Sequence, residues 1–529
     1  MLIINHIKKY QIAYALVLFL FTSACERGID TVSIHYKQRK PYYPPKDSIW
    51  SLSGEQLAHI YCQQCHQFPE PELLAAEQWQ HSVLTHMGYR LGIWEVRGEP
   101  VRGLDMMEQY LVNQAEIYPE EPLISKDAWE KIQRYYLQNA SPDSSRHTFP
   151  NSQTAQFNAQ KVRLGEETPL LTMLNYDEQN GALHIGLRNN QWLVRQSDGK
   201  TKRWQTQGAP VVRLKDRKDN NSLMLSMGIM DPSNQTKGKI YKQYPDSSST
   251  IVDQLRRPVH MLWHDLNEDG EEDLLICEFG HNLGQFSVVY FQKGKAWRKQ
   301  SLLQEAGIRK SAIYDWNQDG KKDILLLLSQ GDEKIVVLKN KGQGKYEEEV
   351  LLRFPPVYGS SYFELADFNK DGRKDILYVN GDNADYSYAL KSYHGIRIYL
   401  NSKEEGIKET YFFPLYGATE ARAYDFDEDG DLDIFGIAYF ADFESTPASS
   451  AVYLENTSTP EALTFKPQAI AEAESGRWLT MEIADTDQDG DKDIILGSCV
   501  LVNTPLPDNL KKYWAEEGSS LLYLKNQIK

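Results

Sequence analysis

Residues 265–273 read Asp-Leu-Asn-Glu-Asp-Gly-Glu-Glu-Asp, and the same pattern, D-x-[DN]-x-D-G-x-x-D, returns at Asp315, Asp367, Asp425 and Asp485. The spacings between successive copies are 50, 52, 58 and 60 residues. A period of this length indicates a repeat architecture, so the repeat decides the fold. We call these five stretches loops 1 to 5 and number the nine positions of each.

Each loop resembles the beginning of a calcium-binding loop. Oxygen-bearing side chains occupy positions 1, 3 and 5, glycine allows the turn at position 6, and position 7 offers its main-chain carbonyl. An EF-hand places its bidentate glutamate at position 12, where this chain has Ile276, Leu326, Tyr378, Gly436 and Leu496. We therefore expect the carboxylate at position 9 to close each site. One such loop could be an aspartate-rich turn, but five copies in one register predict about five Ca²⁺ ions.

The candidate calcium ligands are positions 1, 3, 5, 7 and 9 of each loop. They are Asp265, Asn267, Asp269, Glu271 and Asp273; Asp315, Asn317, Asp319, Lys321 and Asp323; Asp367, Asn369, Asp371, Arg373 and Asp375; Asp425, Asp427, Asp429, Asp431 and Asp433; Asp485, Asp487, Asp489, Asp491 and Asp493.

Every loop runs into a short apolar segment of β character, such as ILLLL after Asp323, which excludes a helix-loop-helix arrangement. A second apolar segment ending in asparagine closes several units, at Asn340, Asn401, Asn456 and Asn526. Two degenerate copies without the ligand set lie upstream, around Asp177 and Asp216. Five complete and two degenerate units predict a mainly β fold, a seven-bladed β-propeller over residues 157–529. We expect residues 157–164 to close the ring by pairing with the last blade.

A different motif, Cys62-Gln63-Gln64-Cys65-His66, follows a helix that begins with a capping box at Ser53. The CxxCH spacing is the attachment signature of c-type haem, with two thiols for the vinyl groups and an imidazole for the iron. A zinc ribbon would need a second cysteine pair, and a redox dithiol would need a βαβ context. We therefore predict one covalent haem c, in a small all-α cytochrome c domain over residues 53–142, with a linker at 143–156.

The sixth iron ligand is predicted to be Met87. Trp79, Val83 and Met87 recur every four residues, so they share one face of a predicted helix. The alternatives are Met106, Met107 and His86, with Met87 then a packing residue.

The N-terminus is predicted to be a secretory signal peptide over residues 1–24, because Lys8 and Lys9 precede an apolar run too short to span a bilayer. Thr22-Ser23-Ala24-Cys25 resembles a bacterial lipobox, although Thr22 stands where that pattern usually has leucine. Ordinary cleavage at small residues is the alternative. We expect an exported protein, either periplasmic or a lipoprotein of the outer membrane or cell surface. In the lipoprotein alternative a lipid anchor at Cys25 is the membrane contact, and residues 25–52 are predicted to form a tether.

The loops and their spacing resemble the FG-GAP/VCBS-like repeat family, and the whole chain resembles VCBS repeat-containing proteins with an N-terminal haem segment from Bacteroidetes-type bacteria. The resemblance rests on segments such as RPVHMLWHDLNEDGEEDLLICEFG (257–280) and NGDNADYSYALKSYHGIRIYLN (380–401). It implies haem binding at Cys62, Cys65, His66 and Met87 and calcium binding in the loops. It implies no particular reaction.

No catalytic motif stands out, and whether the chain is an enzyme stays open. The polar residues that follow the strands are candidates for a pocket on a propeller face, with capping of blade ends as the alternative: Glu278, His281, Asn282, Asn380, Asp382, Asn383, Asp385, Lys391 and His394. Cys277 and Cys499 are predicted to be small buried hydrophobic residues.

Three functions fit these features. The first is electron transfer, with the propeller docking a redox partner protein or an organic ligand. The second is a haem-dependent oxidoreductase with an organic substrate such as a carbohydrate, and the third is a surface adhesion or ligand-binding module.

The net charge of −16 in 529 residues comes from the loops, which hold 23 acidic and 6 basic residues and leave +1 for the remainder. A chain without a basic face is not expected to bind nucleic acid. The acidity therefore indicates bound cations.

Overall fold

The structure, a computed structural model, describes residues 50–528 except 97, 142–146, 166–167, 217–218, 220, 245–246, 292–296, 343, 384–388 and 502–505. The predicted signal peptide, Cys25 and most of the tether lie outside the described residues, as does Asp385. Within the described part of the chain, no helix has both the length and the apolar character needed to cross a bilayer.

Residues 53–139 form a small helical unit. Its elements are α1 (Gly54–Cys62), α2 (Ala76–Gln78), a π-helical turn (Trp79–Val83), α3 (Leu84–Arg90), α4 (Met106–Gln114) and α5 (Lys126–Asn139), with 3₁₀ turns at Pro71–Leu73 and Glu99–Val101. The capping box predicted at Ser53 is confirmed: the Gln56 N–H donates to Ser53 Oγ at 3.2 Å, and the Ser53 N–H donates to Gln56 Oε1 at 3.0 Å. Two orphan donors at the helix start are thereby satisfied.

The core of the helical unit lies between α1, α5 and the π-helical turn. Trp79 is fully buried, donates from Nε1 to the Pro71 carbonyl at 2.7 Å and packs against Tyr136. The sequence predicts one regular helix face through Trp79, Val83 and Met87, whereas the structure inserts the π turn, in which the Leu84 N–H reaches the Trp79 carbonyl. Val83 and Met87 are half-buried and still pack against the same core.

The described residues from Phe157 to Asn526 form a seven-bladed β-propeller, as predicted, in which each blade is a four-stranded antiparallel sheet. Blades 1 to 3 comprise β2 (Leu171–Asp177), β3 (Ala182–Leu187), β4 (Gln191–Gln196) and β5 (Thr201–Gln205); β6 (Pro210–Lys215), β7 (Ser222–Ser226), β8 (Gly238–Gln243) and β9 (Ser248–Leu255); β10 (Pro258–His264), β11 (Asp273–Glu278), β12 (Gln285–Tyr290) and β13 (Arg298–Leu303).

Blades 4 to 6 continue the same meander. They comprise β14 (Ile308–Tyr314), β15 (Asp323–Leu328), β16 (Lys334–Asn340) and β17 (Tyr346–Arg353); β18 (Ser360–Ala366), β19 (Asp375–Asn380), β20 (Gly395–Ser402) and β21 (Gly406–Pro414); β22 (Ala418–Tyr424), β23 (Asp433–Ala438), β24 (Ala451–Asn456) and β25 (Phe465–Ala469). The degenerate copies at Asp177 and Asp216 are the turns between strands 1 and 2 of blades 1 and 2.

Blade 7 closes the ring with both ends of the propeller chain. It contains β26 (Trp478–Ala484), β27 (Asp493–Ser498), β28 (Leu521–Asn526) and, as its outer strand, β1 (Phe157–Val162). The predicted pairing is confirmed, because β1 runs antiparallel to β28 from Phe157 opposite Asn526 to Val162 opposite Leu521. A helix that the sequence analysis missed, α6 (Asp508–Glu516), lies between β27 and β28.

Burial explains why the blades hold together. The second strand of blades 3 to 7 is buried along its whole length, whereas outer strands such as β17 and β21 carry exposed charged residues, which protect a sheet edge. Seven hydrophobic clusters fill the seven junctions between neighbouring blades. Apolar burial of this kind is the main favourable term in folding. Cys277 is buried in the junction between blades 3 and 4, and Cys499 is buried in a smaller cluster with Tyr439 and Phe440, so both cysteines are buried as predicted.

The meander places loops 1 to 5 at one end of the propeller. Each of these loops joins strands 1 and 2 of its blade, so all five lie on one face, which we call the loop face. The connections between strands 2 and 3, and between one blade and the next, lie on the opposite face. The helical unit contacts that opposite face, which we call the helix face. Part of the predicted linker is packed rather than free, since Thr154 and Ser152 hydrogen-bond to Ala469.

Candidate functional site

The five loops share one backbone conformation. Position 4 is a non-glycine residue in the left-handed region, with φ of 58°, 59°, 58°, 57° and 63° at Glu268, Gln318, Lys370, Glu428 and Gln488. Position 6 is glycine with φ between 83° and 106°. In every loop the glycine N–H donates to Oδ2 of the first aspartate, at 2.8–3.2 Å. Positive φ favours glycine, so position 6 is constrained by the turn.

The aspartate at position 9 is buried in all five loops and anchors the loop to its blade. In loop 2, Asp323 accepts the Trp316 N–H at 3.0 Å and the Asn340 N–H at 2.8 Å. Loops 3, 4 and 5 repeat both bonds, and the partners at the ends of the third strands are Asn401, Asn456 and Asn526. The asparagines that close the units in sequence are therefore the contacts of position 9.

Burial disfavours the charged form of these anchors. It raises the pKa of Asp273 to about 6 and that of Asp433 to about 7, while main-chain N–H donors hold both values lower than burial alone would. A bound divalent cation beside such carboxylates would reverse this balance, because it stabilises the ionised form.

Carboxylates converge most closely in loops 4 and 5. Asp425, Asp427 and Asp429 bring one oxygen each to within 4.8 Å of one another, and Asp485, Asp487 and Asp489 do the same. Loops 1 to 3 carry asparagine at position 3 instead. Carboxylate, amide and main-chain oxygens are the ligands that Ca²⁺ takes in proteins, so the donor set of all five loops fits that ion.

The CxxCH residues lie where α1 ends. Cys62 is buried and Cys65 is exposed, and burial raises the pKa of Cys62 to about 12. The His66 Nδ1 lies 2.8 Å from the Gln67 carbonyl oxygen. Donation from Nδ1 to that carbonyl leaves Nε2 as the atom able to bind iron, the arrangement typical of ligating histidines. Burial lowers the pKa of His66, which favours the neutral imidazole that a metal requires. The residues present therefore fit a covalent haem.

The candidates for the sixth ligand differ in exposure. Met87 is half-buried against the core that contains Cys62. Met106 and Met107 are 87% and 53% exposed on α4. His86 packs edge-on against Tyr89. Of the three methionines, Met87 is thus the one that packs against the core that includes Cys62.

The helical unit is held on the helix face by Glu108, a buried carboxylate on α4. Glu108 accepts hydrogen bonds from Ser233 Oγ, from the Asn234 N–H at 2.8 Å, from Asn234 Nδ2 at 3.0 Å and from the Gln235 N–H at 3.2 Å. Asn234 Oδ1 in turn accepts the N–H groups of Asn282 and Leu283 in blade 3. The contact therefore links α4 to blades 2 and 3.

The CxxCH turn faces the propeller as well. Val357 and Tyr393, on the helix face, pack against the core that includes Cys62. The Asp332–Arg353 ion pair of blade 4 also acts on the pKa of His66, which burial lowers. Asp332 raises this pKa and Arg353 lowers it. The CxxCH motif thus lies on the helix face, and the loops lie on the opposite side of the propeller.

Most of the predicted pocket residues are structural. Glu278 is fully buried and bonded to Arg256, Gln285, Ser287 and Lys299. Asn380 and His394 are also fully buried. Asp382 pairs with Arg309 at 3.6 Å, and Asn282 accepts from Arg90 of the helical unit.

The remaining pocket candidates are also largely enclosed. Asn383 and Lys391 are buried, Asn383 donates to the Ala389 carbonyl, and His281 is half-buried near the helical unit. The capping interpretation therefore describes most of the set.

A set of charged residues on the innermost strands was not predicted from the sequence. The first strands of neighbouring blades contact one another around the whole ring. Lys310 Nζ lies 3.6 Å from the centre of the Tyr362 ring, and Arg422 pairs with Glu420 at 2.5 Å. Glu482 accepts the Tyr176 N–H at 2.9 Å. Their signal in the sequence is polar residues at alternate positions of strands that are otherwise apolar.

Comparison with known families identifies FG-GAP-like repeats in this chain. The family model described as FG-GAP-like repeat matches residues 315–378 and 425–496, which run from loop 2 to β19 and from loop 4 to β27. A search of curated protein sequences returns no match.

Solved structures resemble the chain weakly. A streptogramin B lyase structure has 11% identity and a TM-score of 0.42, covering 70% of this chain and 98% of its own. The Pan2 WD40 domain of Neurospora crassa has 10% identity and a TM-score of 0.41, covering 71% of this chain and 97% of its own. At these values we draw nothing from them about function.

Proposed function

We propose that this chain is an exported c-type cytochrome fused to a calcium-binding FG-GAP/VCBS-like propeller, and that it transfers electrons between a haem c and a partner docked on the propeller. The observation that carries the proposal is the CxxCH motif, with His66 Nδ1 tied to a main-chain carbonyl beside a buried Cys62. The haem would supply reversible one-electron chemistry when bound. The signal-peptide pattern supports export, and Cys25 supports a lipid anchor.

The residues of this chain have separate tasks in the proposal. Cys62 and Cys65 would hold the haem by thioethers, His66 would offer Nε2 to the iron, and Met87 would offer its thioether sulfur. Methionine ligation would raise the reduction potential. The hydrogen bonds of Glu108 hold the helical unit on the helix face, so the CxxCH motif keeps a constant position relative to the propeller.

Haem attachment is tested by replacing both cysteines. A C62A/C65A variant, expressed with a c-type maturation system, should carry no covalent haem on a denaturing gel, while the matched control C277A should keep it. A normal haem signal in C62A/C65A would refute the assignment of Cys62 and Cys65 as the haem-attachment residues.

The calcium assignment is tested by chelation. A ligand that binds the native state at one hundred times its Kd adds about 2.7 kcal/mol of stability per site. Removing calcium with EGTA should therefore lower the melting temperature of the propeller, and restoring calcium should recover it. An unchanged melting temperature would count against calcium in the loops.

A second candidate function, an oxidoreductase with an organic substrate, is favoured by the charged residues around the propeller axis. Lys310, Tyr362, Glu420 and Arg422 place donors, acceptors and an aromatic face together. Reduction of the haem by members of a panel of small organic substrates, lost in a K310M variant, would support this function. Reduction by a partner protein alone would support electron transfer.

A further inference from the structure

Loops 4 and 5 differ from loops 1 to 3 in how the first aspartate is used. In loops 1 to 3 its Oδ1 accepts the N–H of position 5, at 3.1, 3.0 and 3.1 Å. In loops 4 and 5 that oxygen, Oδ1 of Asp425 and of Asp485, is buried without a hydrogen-bond partner among the described residues. A buried carboxylate oxygen without a donor is costly, and a bound cation would satisfy it.

Position 7 shows the same division. In loop 3 the Arg373 side chain turns away and donates to the Asn401 carbonyl at 2.9 Å. In loop 5 the Asp491 side chain is 4% exposed, and neither of its oxygens meets a donor within the described chain. Asp431 Oδ1 in loop 4 is likewise buried and unbonded in the described structure.

Net charge does not explain this difference. Loop 1 contains six acidic residues, as many as loop 4, yet asparagine at position 3 leaves it without three converging aspartates. The distinguishing feature is the aspartate at positions 3 and 7. Ligand charge count and rigidity tune the affinity of calcium loops over several orders of magnitude.

Both loops lie at the seam where the ring closes. Asn526, the last residue of β28, donates its N–H to Asp493 of loop 5 at 2.9 Å and its Nδ2 to the Phe426 carbonyl of loop 4 at 2.8 Å. Gln156, just before β1, donates to the same Phe426 carbonyl at 3.0 Å. The equivalent asparagines 340, 401 and 456 donate from Nδ2 to carbonyls of their own loops, at Lys322, Lys374 and Leu432. Asn526 makes the same bond to Lys492 of its own loop at 3.3 Å, and the bond to loop 4 is additional. Blade 7 is thus bonded directly to loop 4.

We propose that loops 4 and 5 are the two tight divalent-cation sites of this protein, and that their occupancy locks the closure of the propeller between β1 and β28. Loops 1 to 3 bind the same ion more weakly because Oδ1 of their first aspartate is already hydrogen-bonded and their position 3 is asparagine. This inference rests on the proposed calcium binding and adds a ranking and a structural consequence to it. Removing the two ions loosens the chain termini of the propeller before it loosens the central blades.

The test uses the full-length, calcium-stripped protein titrated with CaCl₂ by calorimetry. We expect two sites that bind at least tenfold more tightly than the others. The D485N and D425N variants should each lose one tight site, whereas D265N, in the loop with as many acidic residues as loop 4, should keep both. Should D485N fold poorly, D491N removes the position-7 carboxylate alone and should weaken one tight site at least tenfold.

Hydrogen exchange provides the structural measurement. EGTA should accelerate exchange in β28 (Leu521–Asn526) more than in β16 (Lys334–Asn340), which is the same strand of blade 4. Equal affinities at all sites, or equal acceleration in both strands, would overturn this inference and leave calcium binding intact. Absence of any calcium binding would instead refute the calcium part of the proposed function.

Discussion

Replacing Glu108 by alanine should release the helical unit from the propeller without unfolding either. The carboxylate is 6% exposed and accepts hydrogen bonds from Ser233, Asn234 and Gln235. If each of the three partner residues contributes about 1 kcal/mol, E108A should lower the free energy of docking by about 3 kcal/mol. That loss lowers the ratio of docked to undocked molecules by about a hundredfold.

Hydrogen exchange by mass spectrometry measures the effect directly. In E108A, exchange should accelerate in α4 (Met106–Gln114) and in residues 227–237, while β15 (Asp323–Leu328) should keep its protection. E130A is the matched control, because Glu130 is an exposed residue on α5 of the same unit. If α4 in E108A stays as protected as in the wild type, the apolar contacts of Val357 and Tyr393 hold the unit by themselves and our reasoning about Glu108 is wrong.

Three further predictions concern the core, the haem and pH. L326A should lower the free energy of unfolding by about 2–5 kcal/mol, because Leu326 is fully buried in β15. V350A, on the exposed edge of the same blade, should change this free energy little. Equal effects of the two variants in a denaturant titration would contradict the prediction. M87A should remove the absorption band of methionine-ligated haem, and M106A should keep it; persistence of the band in M87A would exclude that ligand. Burial, followed by Arg213, lowers the pKa of His184 to about 3, so the folded protein keeps this ring neutral while the unfolded chain takes up a proton below the ordinary value of 6.5. Stability should therefore fall as the pH drops from 6.5 towards 3, and a pH series of melting temperatures should be flatter for H184F; parallel slopes would contradict the assignment.

The repeat could be predicted from the sequence because the residues that define each copy are close together in the chain. A glycine with positive φ, an aspartate at position 1 and an apolar strand after position 9 lie within about fifteen residues, so short-range geometry fixes their relation. The number of blades and the capping box at Ser53 were predicted on that basis. The π turn at Trp79–Val83 was not, because a regular helical period fits those residues equally well until the burial of Trp79 is known.

The sequence by itself therefore determined the elements, the cysteine and histidine spacing and the residues offered to cations. Tertiary structure alone decided which surfaces meet: Glu108 reaches Asn234 across 126 positions of the chain, and Gln156 reaches Asn526 across 370. It also decided that the CxxCH motif lies against the helix face of the propeller and that loops 4 and 5 flank the seam where the ring closes. The physical reason is that such contacts depend on how complete blades pack around the ring, and no local preference of either partner records that arrangement.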